Sequence, residues 1–316
     1  MPAFTATAPG KVILFGEHAV VYGRPAIAAP VEQVRARATV TADLHAPAGK
    51  VQIQAPAVGI DADLEALQED DPLRAAIQGV LQTLKIERIP ACTLRVTSTI
   101  PVAAGLGSGA AVTVAIVRAL SAYLGHPLED DRVSALAFEV EKLHHGTPSG
   151  IDNTVITYGK PVYFRKGMPV EMLPVPQPFT IVIADTGIAS PTAIAVGDLR
   201  KAWQADPEAY ELLFDAAGEI AQQAREAIVS GQTDELGPLM DENHALLQKM
   251  GVSSPALDDL VDAARRAGAL GAKLSGGGRG GNMIALVRTE DAQRIANALA
   301  GAGATRTIIT TIGKPR

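Results

Sequence analysis

Apolar residues divide the chain into a strand-rich first part and a second part that alternates helices with strands. Alternating or continuous apolar runs predict strands at 4–8, 12–16, 26–31, 34–41, 51–54 and 94–99. Apolar positions three and four residues apart predict helices at 71–84, 110–124 and 131–144. Val133, Leu136, Val140 and Leu143 form the expected core side of the third helix, and Glu141 falls near its C-terminal end.

A proline-rich stretch separates the two parts. Its four prolines are Pro169, Pro174, Pro176 and Pro178, which disfavour regular structure and predict a domain joint near residue 175. We therefore expect domains at 1–175 and 176–316. In the second domain the pattern predicts strands at 179–185, 272–274, 283–287 and 305–312, and helices at 192–204, 208–230, 234–250, 255–267 and 290–300. This is a mixed α+β architecture.

Composition narrows the class of protein. The 316 residues are 47% hydrophobic, enough for one large or two modest cores. The net charge is −6 and the 28 basic residues are scattered, which argues against a nucleic-acid partner. The single cysteine, Cys92, excludes an intrachain disulfide and is expected to be a buried, inert thiol. The start lacks a signal-peptide pattern and no apolar run is long enough for a membrane span, so we expect a cytoplasmic protein.

The segment from Pro101 to Ala111 has glycines at alternate positions, Gly105, Gly107 and Gly109, between a predicted strand and a predicted helix. Backbone N–H groups of such a turn can converge on a phosphate, and the helix N-terminus adds unpaired donors and partial positive charge. The segment is neither a Walker A motif nor a dinucleotide-binding fingerprint. It indicates a nucleotide-phosphate cradle, with a tight strand-to-helix turn as the alternative.

Two further segments carry unusual residues. Five of the ten residues from Lys273 to Asn282 are glycine, although apolar strand-like runs flank the segment on both sides. This favours a ligand-facing loop over a flexible linker. Near the N-terminus, Lys11, Glu17 and His18 stand inside an apolar run, where charges are costly unless they are paired or functional. Together they favour a polar pocket.

Two acidic residues, Glu141 and Asp152, are separated by a predicted helix end and a Gly/Pro turn. Such a pair can converge, so that one carboxylate holds a divalent cation and the other faces a hydroxyl. The adjacent His144 and His145 point about 100° apart on a helix and lack a third ligand at the expected spacing, so capping or packing is favoured over metal binding for them.

Three segments in this order resemble the sequence motifs of the GHMP kinases: Pro-Gly-Lys at 9–11, Gly-Leu-Gly-Ser at 105–108 and the late glycine-rich loop. The resemblance covers nearly the whole chain. The strings GKVILFGEHAVVYG, from Gly10, and HGTPSGIDN, from His145, resemble the branch that phosphorylates mevalonate, whereas galactokinases usually show RVNLIGEHTD. The resemblance implies a two-domain fold, with an N-terminal ribosomal-protein-S5-domain-2-like domain, a C-terminal ferredoxin-like α+β domain and the active site between them.

The resemblance also implies roles for particular residues. Asp152 would be the catalytic aspartate, and Lys11 would contact both this aspartate and the hydroxyl of mevalonate. Glu17, His18 and Thr186 would line the substrate pocket. Glu141 would hold Mg²⁺, with Ser108 as a second metal contact. ATP would be bound by Pro101, Ala104, Gly105, Leu106, Gly107, Ser108, Gly109, Ala110 and Ala111, with Ser275, Gly276, Gly277 and Gly278 forming a loop near the phosphates. The family further suggests a homodimer.

The chain departs from the family pattern at two positions. Gly109 stands where many members have a second serine, which leaves Ser108, a water or Glu141 alone to contact the metal ion. Arg279 interrupts the late glycine loop, where it would either add positive charge near the phosphates or face solvent.

Three alternative functions are a kinase for phosphomevalonate or homoserine, a mevalonate-type decarboxylase, and an inactive ligand sensor. Lys11 together with His18 argues against the decarboxylase. The presence of Lys11, Glu141 and Asp152 together argues against the sensor.

Overall fold

A computed structural model describes residues 3–101, 104–145, 148–189 and 192–313, without the side chains of His144 and His145. The chain forms two compact units that interleave along the sequence. Unit 1 comprises residues 1–10, 34–101 and 107–159, and unit 2 comprises residues 11–33, 102–106 and 160–316. The division at residue 175 stays a prediction about the limits of the two family domains. By packing, the chain enters unit 2 for the last time at Lys160.

The first two strands are longer than the sequence pattern predicts. β1 (Ala3–Phe15) and β2 (Ala26–Ala42) each join two predicted strands into one, and each contributes residues to both units. Pro9 does not interrupt β1, because in the described part of the chain β1 pairs only with β2 and has a free edge. A proline on such an edge removes no ladder hydrogen bond.

The remainder of unit 1 is a sheet covered by helices. Its elements are β3 (Val51–Ala55), β4 (Ile60–Asp63), α1 (Pro72–Leu84), β5 (Cys92–Ser98), α2 (Ser108–Tyr123), α3 (Asp130–His145) and α4 (Ile151–Tyr158). β5 lies antiparallel to β2 and parallel to β3. Asp71 caps α1 by accepting hydrogen bonds from the N–H groups of Leu73 and Arg74. Neither β4 nor α4 was predicted.

Burial in unit 1 largely follows the predicted faces. Val133 and Val140 of α3 are buried, but Leu143 is 50% exposed, so its assignment to the core was wrong. At 100° per residue Leu143 lies about 80° from Val133, at the margin of the apolar stripe. Cys92 is buried, as predicted, and burial raises the pKa of its thiol to about 11, which disfavours the reactive thiolate.

Unit 2 is built on a four-stranded antiparallel sheet. Its elements are β6 (Val162–Phe164), β7 (Glu171–Met172), β8 (Phe179–Asp185), α5 (Thr192–Ala205), α6 (Pro207–Ser230), α7 (Leu236–Lys249), α8 (Pro255–Arg266), β9 (Gly271–Ser275), β10 (Asn282–Val287), α9 (Ala292–Gly301) and β11 (Arg306–Ile312). The strand order in the sheet is β11-β8-β10-β9, and α7, α8 and α9 pack against it. None of the helices described here combines the length and the apolar character that a membrane span requires.

A short 3₁₀ turn at Ala19–Tyr22 anchors the N-terminal segment of unit 2 on α6. The Tyr22 ring stacks on Phe214 with 4.1 Å between the ring centroids. Arg24 donates a hydrogen bond to Asp215 at 2.9 Å and forms an ion pair with Glu211. These contacts fix the position of the preceding residues Glu17 and His18.

Candidate active site

Strand register brings two loops to the same end of the unit 2 sheet. Asn282, at the start of β10, lies opposite Asp185 at the end of β8 and opposite Ser275 at the end of β9. Hydrogen bonds join the segment after β8 to the loop before β10. The Thr186 N–H and hydroxyl both donate to the carbonyl of Gly281, at 2.9 and 3.0 Å. The Gly281 N–H donates in turn to the carbonyl of Ile188 at 2.8 Å.

The glycine loop, which we define as residues 275–281, has a backbone that side chains would disrupt. Gly278 has φ +74°, and a Cβ there would lie 1.9 Å from the carbonyl oxygen of Val252. A Cβ on Gly277 would lie 2.7 Å from the hydroxyl oxygen of Thr192, the first residue of α5. The loop therefore approaches the Val252 backbone and Thr192 so closely that there is no room for a side chain at these two positions.

Arg279 forms an ion pair that the sequence did not indicate. Its guanidinium Nη1 donates to Oδ2 of Asp198, on α5, at 2.6 Å. Its N–H donates to the carbonyl of Val252 at 2.9 Å, and its φ of +56° is uncommon for a residue with a side chain. The ion pair lowers the pKa of the Asp198 carboxyl.

Unit 2 brings the glycine loop close to the first part of the phosphate-cradle segment. The Asn282 side-chain amide donates to the carbonyl of Ala104, and a Cβ on Gly276 would be 3.8 Å from the carbonyl oxygen of Gly105. The N–H of Lys11 donates to the carbonyl of Leu106 at 3.0 Å. Within unit 2, the glycine loop, the start of the cradle segment and the segment that contains Lys11 are therefore neighbours.

Ser275 holds the end of β1 in place. Its hydroxyl donates to the carbonyl of Ile13 at 2.8 Å and accepts from the Ile13 N–H at 3.2 Å. Both hydrogen bonds occupy the side chain with backbone groups.

Glu17 forms a fully buried ion pair with Lys273, 256 residues further along the chain. Burial raises the pKa of the Glu17 carboxyl and lowers that of the Lys273 ammonium, while the attraction between the two opposes both shifts. The Lys273 ammonium also donates to the carbonyl of Leu274 at 2.7 Å. The second carboxylate oxygen of Glu17, Oε2, is buried without a hydrogen-bond partner among the described residues.

His18 is a neutral imidazole with one unused nitrogen. Its Nε2 lies 3.1 Å from the carbonyl oxygen of Gly277, so Nε2 carries the proton and donates. Burial lowers the pKa of His18 to about 4. In the described part of the structure, the buried Nδ1 has no hydrogen-bond partner and is available as an acceptor. The backbone of His18 also has a positive φ, +61°, a strained conformation of the kind that clusters at functional sites.

Unit 1 contains the second part of the predicted cradle. Gly107, with φ +72°, precedes the first residue of α2, and no side chain caps this helix end. The N–H groups of its first turn, on Ser108, Gly109 and Ala110, therefore have no acceptor within the helix. Gly109 is exposed, and a Cβ there would meet no atom within 4 Å. Pro101 is half-buried, whereas Ala110 and Ala111 are buried beneath the turn.

The two predicted acidic residues of unit 1 lie on neighbouring helices. Glu141 is buried in the last turn of α3, and Asp152 lies in the first turn of α4, where negative charge is favourable. Asn153 ties α4 to α3, because its side-chain amide donates to the carbonyl and the hydroxyl of Ser134, at 3.1 and 2.9 Å. The structure does not describe Gly146, Thr147 or the side chains of His144 and His145. The capping or packing role expected for the two histidines therefore stays a prediction.

Four residues in or beside the site in unit 2 were missed by sequence reasoning: Lys273, Thr192, Asp198 and His244, which accepts a hydrogen bond from the Leu274 N–H. Lys273 carried a usable signal, since it is a charge inside an apolar strand and Glu17 is another charge inside an apolar run. Thr192, Asp198 and His244 lie on helices with ordinary polar neighbours, and nothing local distinguishes them.

Comparisons with known proteins identify the family of the chain. The family model described as GHMP kinases N terminal domain matches residues 73–160, and the GHMP kinases C terminal model matches residues 224–305. A mevalonate kinase of Thermococcus sibiricus is 39% identical over 98% of this chain and 96% of its own length. One from Saccharolobus solfataricus is 32% identical over 90% of both chains. The crystal structure of L. major mevalonate kinase in complex with R-mevalonate, at 34% identity, gives a TM-score of 0.82 over 98% of this chain and 95% of the other.

The fold and both family models make the chain a GHMP kinase. Its near-complete coverage of relatives that are more than 30% identical refines this assignment. The chain belongs to the mevalonate kinase family.

Proposed function

We propose that this chain transfers the γ-phosphoryl group of ATP to the C5 hydroxyl of mevalonate, giving 5-phosphomevalonate and ADP. The observation that carries the proposal is the likeness, over nearly the full length, to a structure solved with R-mevalonate. In the reaction the hydroxyl oxygen forms a bond to the γ-phosphorus, the bond from that phosphorus to the bridging oxygen of ADP breaks, and the hydroxyl proton leaves to a base.

The residues of the cradle fit a nucleotide triphosphate. The uncapped N-terminus of α2 offers the N–H groups of Ser108, Gly109 and Ala110, with the partial positive charge of the helix end behind them. Exposed Gly109 lets a phosphate approach the backbone without meeting a side chain. Gly276 and Gly277 of the glycine loop would supply further N–H groups.

The donor chemistry also fits Mg²⁺. Glu141 supplies a carboxylate and Ser108 a hydroxyl, both hard oxygen ligands, in helices that pack against each other. When bound, the metal ion neutralises charge on the phosphates. Among the described residues, no group of three or more His, Cys, Asp or Glu side chains could hold a metal ion, and Mg²⁺ is commonly held by one or two carboxylates together with substrate phosphates.

The remaining roles concern the hydroxyl substrate. Asp152 accepts the proton from the C5 hydroxyl, and the positive charge of Lys11 stabilises the negative charge that develops during transfer. The unpartnered Nδ1 of His18 accepts a hydrogen bond from a substrate hydroxyl. Because His18 is neutral, the group that balances the mevalonate carboxylate must be another one. Glu17 supports the substrate site indirectly, through its ion pair with Lys273. Thr186 holds the segment after β8 in place through its hydrogen bonds to Gly281.

The test is product formation by the purified chain with MgATP and separate samples of mevalonate, phosphomevalonate, homoserine and galactose. ADP release with mevalonate alone, and a C5 monophosphate in the phosphorus NMR spectrum, are expected. Asp152→Asn should lower kcat by several orders of magnitude without a change in melting temperature, whereas the same exchange at the exposed Asp70 should leave kcat unchanged. Turnover of another substrate, or near-normal turnover by Asp152→Asn, would contradict the proposal.

Two further parts of the proposal concern the state of the protein. We propose a homodimer and a cytoplasmic location, as the family suggests. Light scattering on the purified protein should give twice the mass of the chain, 32.8 kDa, and fractionation of cells should recover the protein with the cytosol.

A further inference from the structure

A buried polar network on the helical side of the glycine loop has no part in the proposed chemistry. His244, on α7, is 2% exposed, and its Nδ1 accepts a hydrogen bond from the N–H of Leu274 at 3.3 Å. Leu274 immediately precedes the glycine loop. Because Nδ1 accepts, the ring proton is on Nε2, which lies 3.2 Å from Oδ1 of Asp258. The same carboxylate oxygen accepts a hydrogen bond from the Ser253 hydroxyl at 2.5 Å.

The two contacts of the His244 ring differ in quality. Nε2 is within reach of the Asp258 carboxylate but is not aligned for a regular hydrogen bond. The contact through Nδ1 satisfies the hydrogen-bond geometry. Burial lowers the pKa of His244 to about 4, so the ring is neutral at physiological pH. The hydrogen bond from Leu274 to Nδ1 is therefore the stronger of the two contacts. Asp258 favours the tautomer with the proton on Nε2, in which Nδ1 can accept this hydrogen bond.

The Leu274 N–H depends on this acceptor because of where it lies in the sheet. β9 is an edge strand that pairs only with β10 among the described strands, so its outward N–H groups lack strand partners. Leu274 is fully buried, and an unpaired N–H there would be costly. α7 satisfies two of these groups, with Asp241 accepting from Ala272 at 2.9 Å and His244 accepting from Leu274.

The turn that follows α7 holds the other end of the loop. Val252, next to Ser253, accepts the N–H of Arg279 at 2.9 Å. One continuous stretch of chain, formed by α7, this turn and the start of α8, therefore contacts the backbone both where the loop leaves β9 and where it turns back. The orientation of the loop's N–H groups depends on this stretch.

We propose that His244 is a positioning residue for nucleotide binding. Through its hydrogen bond with the Leu274 amide, it sets the direction in which the chain leaves β9 for the glycine loop. That direction determines how the N–H groups of the loop are oriented towards the phosphates. The inference rests on the proposed ATP-dependent function, since it needs a phosphate ligand at this loop. His244 itself touches no substrate.

Two matched substitutions separate the two nitrogens of the ring. In His244→Asn the side-chain oxygen falls near the position of Nδ1, so an acceptor for Leu274 remains. In His244→Gln the amide falls near the position of Nε2, so the contact with Asp258 remains and the acceptor for Leu274 is lost. Both replace an aromatic ring with an amide at the same buried site, so their general cost to packing should be similar.

The measurement is the Kd of MgADP by calorimetry on the full chain, together with hydrogen exchange at the Leu274 amide and the melting temperature. We expect His244→Asn to bind within about threefold of the wild type. His244→Gln should bind about tenfold more weakly and exchange faster at Leu274. It should also melt at a lower temperature than His244→Asn, because the buried Leu274 N–H loses its acceptor. Equal binding by the two variants, or weaker binding by His244→Asn, would overturn the proposal.

A second variant covers the case in which His244→Gln does not fold. Asp258→Leu removes the carboxylate that selects the Nε2–H tautomer, and a roughly threefold rise in Kd with faster exchange at Leu274 is expected. Unchanged exchange and Kd would overturn the proposal. A wild type that binds MgADP but does not phosphorylate mevalonate would refute the proposed substrate and leave the comparison of Kd values valid. A wild type that does not bind MgADP would overturn both.

Discussion

Replacing Lys273 with methionine leaves the Glu17 carboxylate buried without its positive partner. Both side chains are 0% exposed, so no water can replace the lost interaction. Breaking a buried ion pair from one side costs about 3–5 kcal/mol. At about 2–4 °C per kcal/mol for a unit of this size, the melting temperature of Lys273→Met should fall by roughly 6–20 °C.

The loss of stability in Lys273→Met should increase as the pH rises. Burial already raises the pKa of Glu17 above its ordinary value of 4.5, and loss of Lys273 raises it further. A carboxyl whose pKa is higher in the folded state contributes stability below its unfolded pKa and loses it as pH rises through the folded value. Lys273→Met should therefore be closest to the wild type near pH 4.5 and fall further behind towards pH 8.

Urea unfolding followed by circular dichroism across this pH range measures the effect. The control is the double variant Glu17→Leu with Lys273→Met. It removes both charges, so no buried charge is left without a partner, and its free energy of unfolding should be within about 2 kcal/mol of the wild-type value. Equal unfolding midpoints for Lys273→Met and the wild type at all pH values would refute the reasoning, as would a deficit that grows on acidification.

Three further predictions follow from single positions. Arg279→Gly should be more stable than Arg279→Ala by about 1 kcal/mol in urea unfolding, because both lose the ion pair and only alanine keeps the strain of a positive φ; equal stabilities would count against that strain. Since burial lowers the pKa of His18 to about 4, below its ordinary 6.5, its stabilising contribution is complete above pH 6.5 and lost as pH falls towards 4. Unfolding experiments should show the wild type losing up to about 3 kcal/mol more than His18→Gln between pH 7 and 4, and parallel losses would contradict this. Gly278→Ala should lower the melting temperature sharply because its Cβ would lie 1.9 Å from the Val252 carbonyl oxygen, whereas Gly197→Ala, inside α5 with open space around it, should raise it slightly.

The chemistry-bearing segments could be predicted from the sequence because their signals are local. The alternate glycines before α2, the glycine loop and the charges at Lys11, Glu17 and His18 are each contained in a few consecutive residues, and their order along the chain identified the family. The amphipathic period likewise predicted α2 and α3. The family models and the full-length relatives confirm that assignment.

Some local elements escaped prediction for physical reasons. α4 has eight residues, and six of them are buried, so it shows no contrast between an apolar and a polar face. β4 is four residues long and carries Asp61 and Asp63, which disfavour strands in isolation. In β1 and β2, pairing with neighbouring strands overrode the breaks that proline and charged residues indicated.

The sequence by itself determined the class of the protein, the segments predicted to bind phosphate and the candidate catalytic residues Lys11 and Asp152, since each depends on residue types at short spacing. Only the tertiary structure decided which residues support them. Glu17 and Lys273 are 256 residues apart, and His244 meets Leu274 across 30 residues. Strand order and helix packing create these contacts, and the free energy of burying a charge or an N–H group depends on the partner that the fold brings to it.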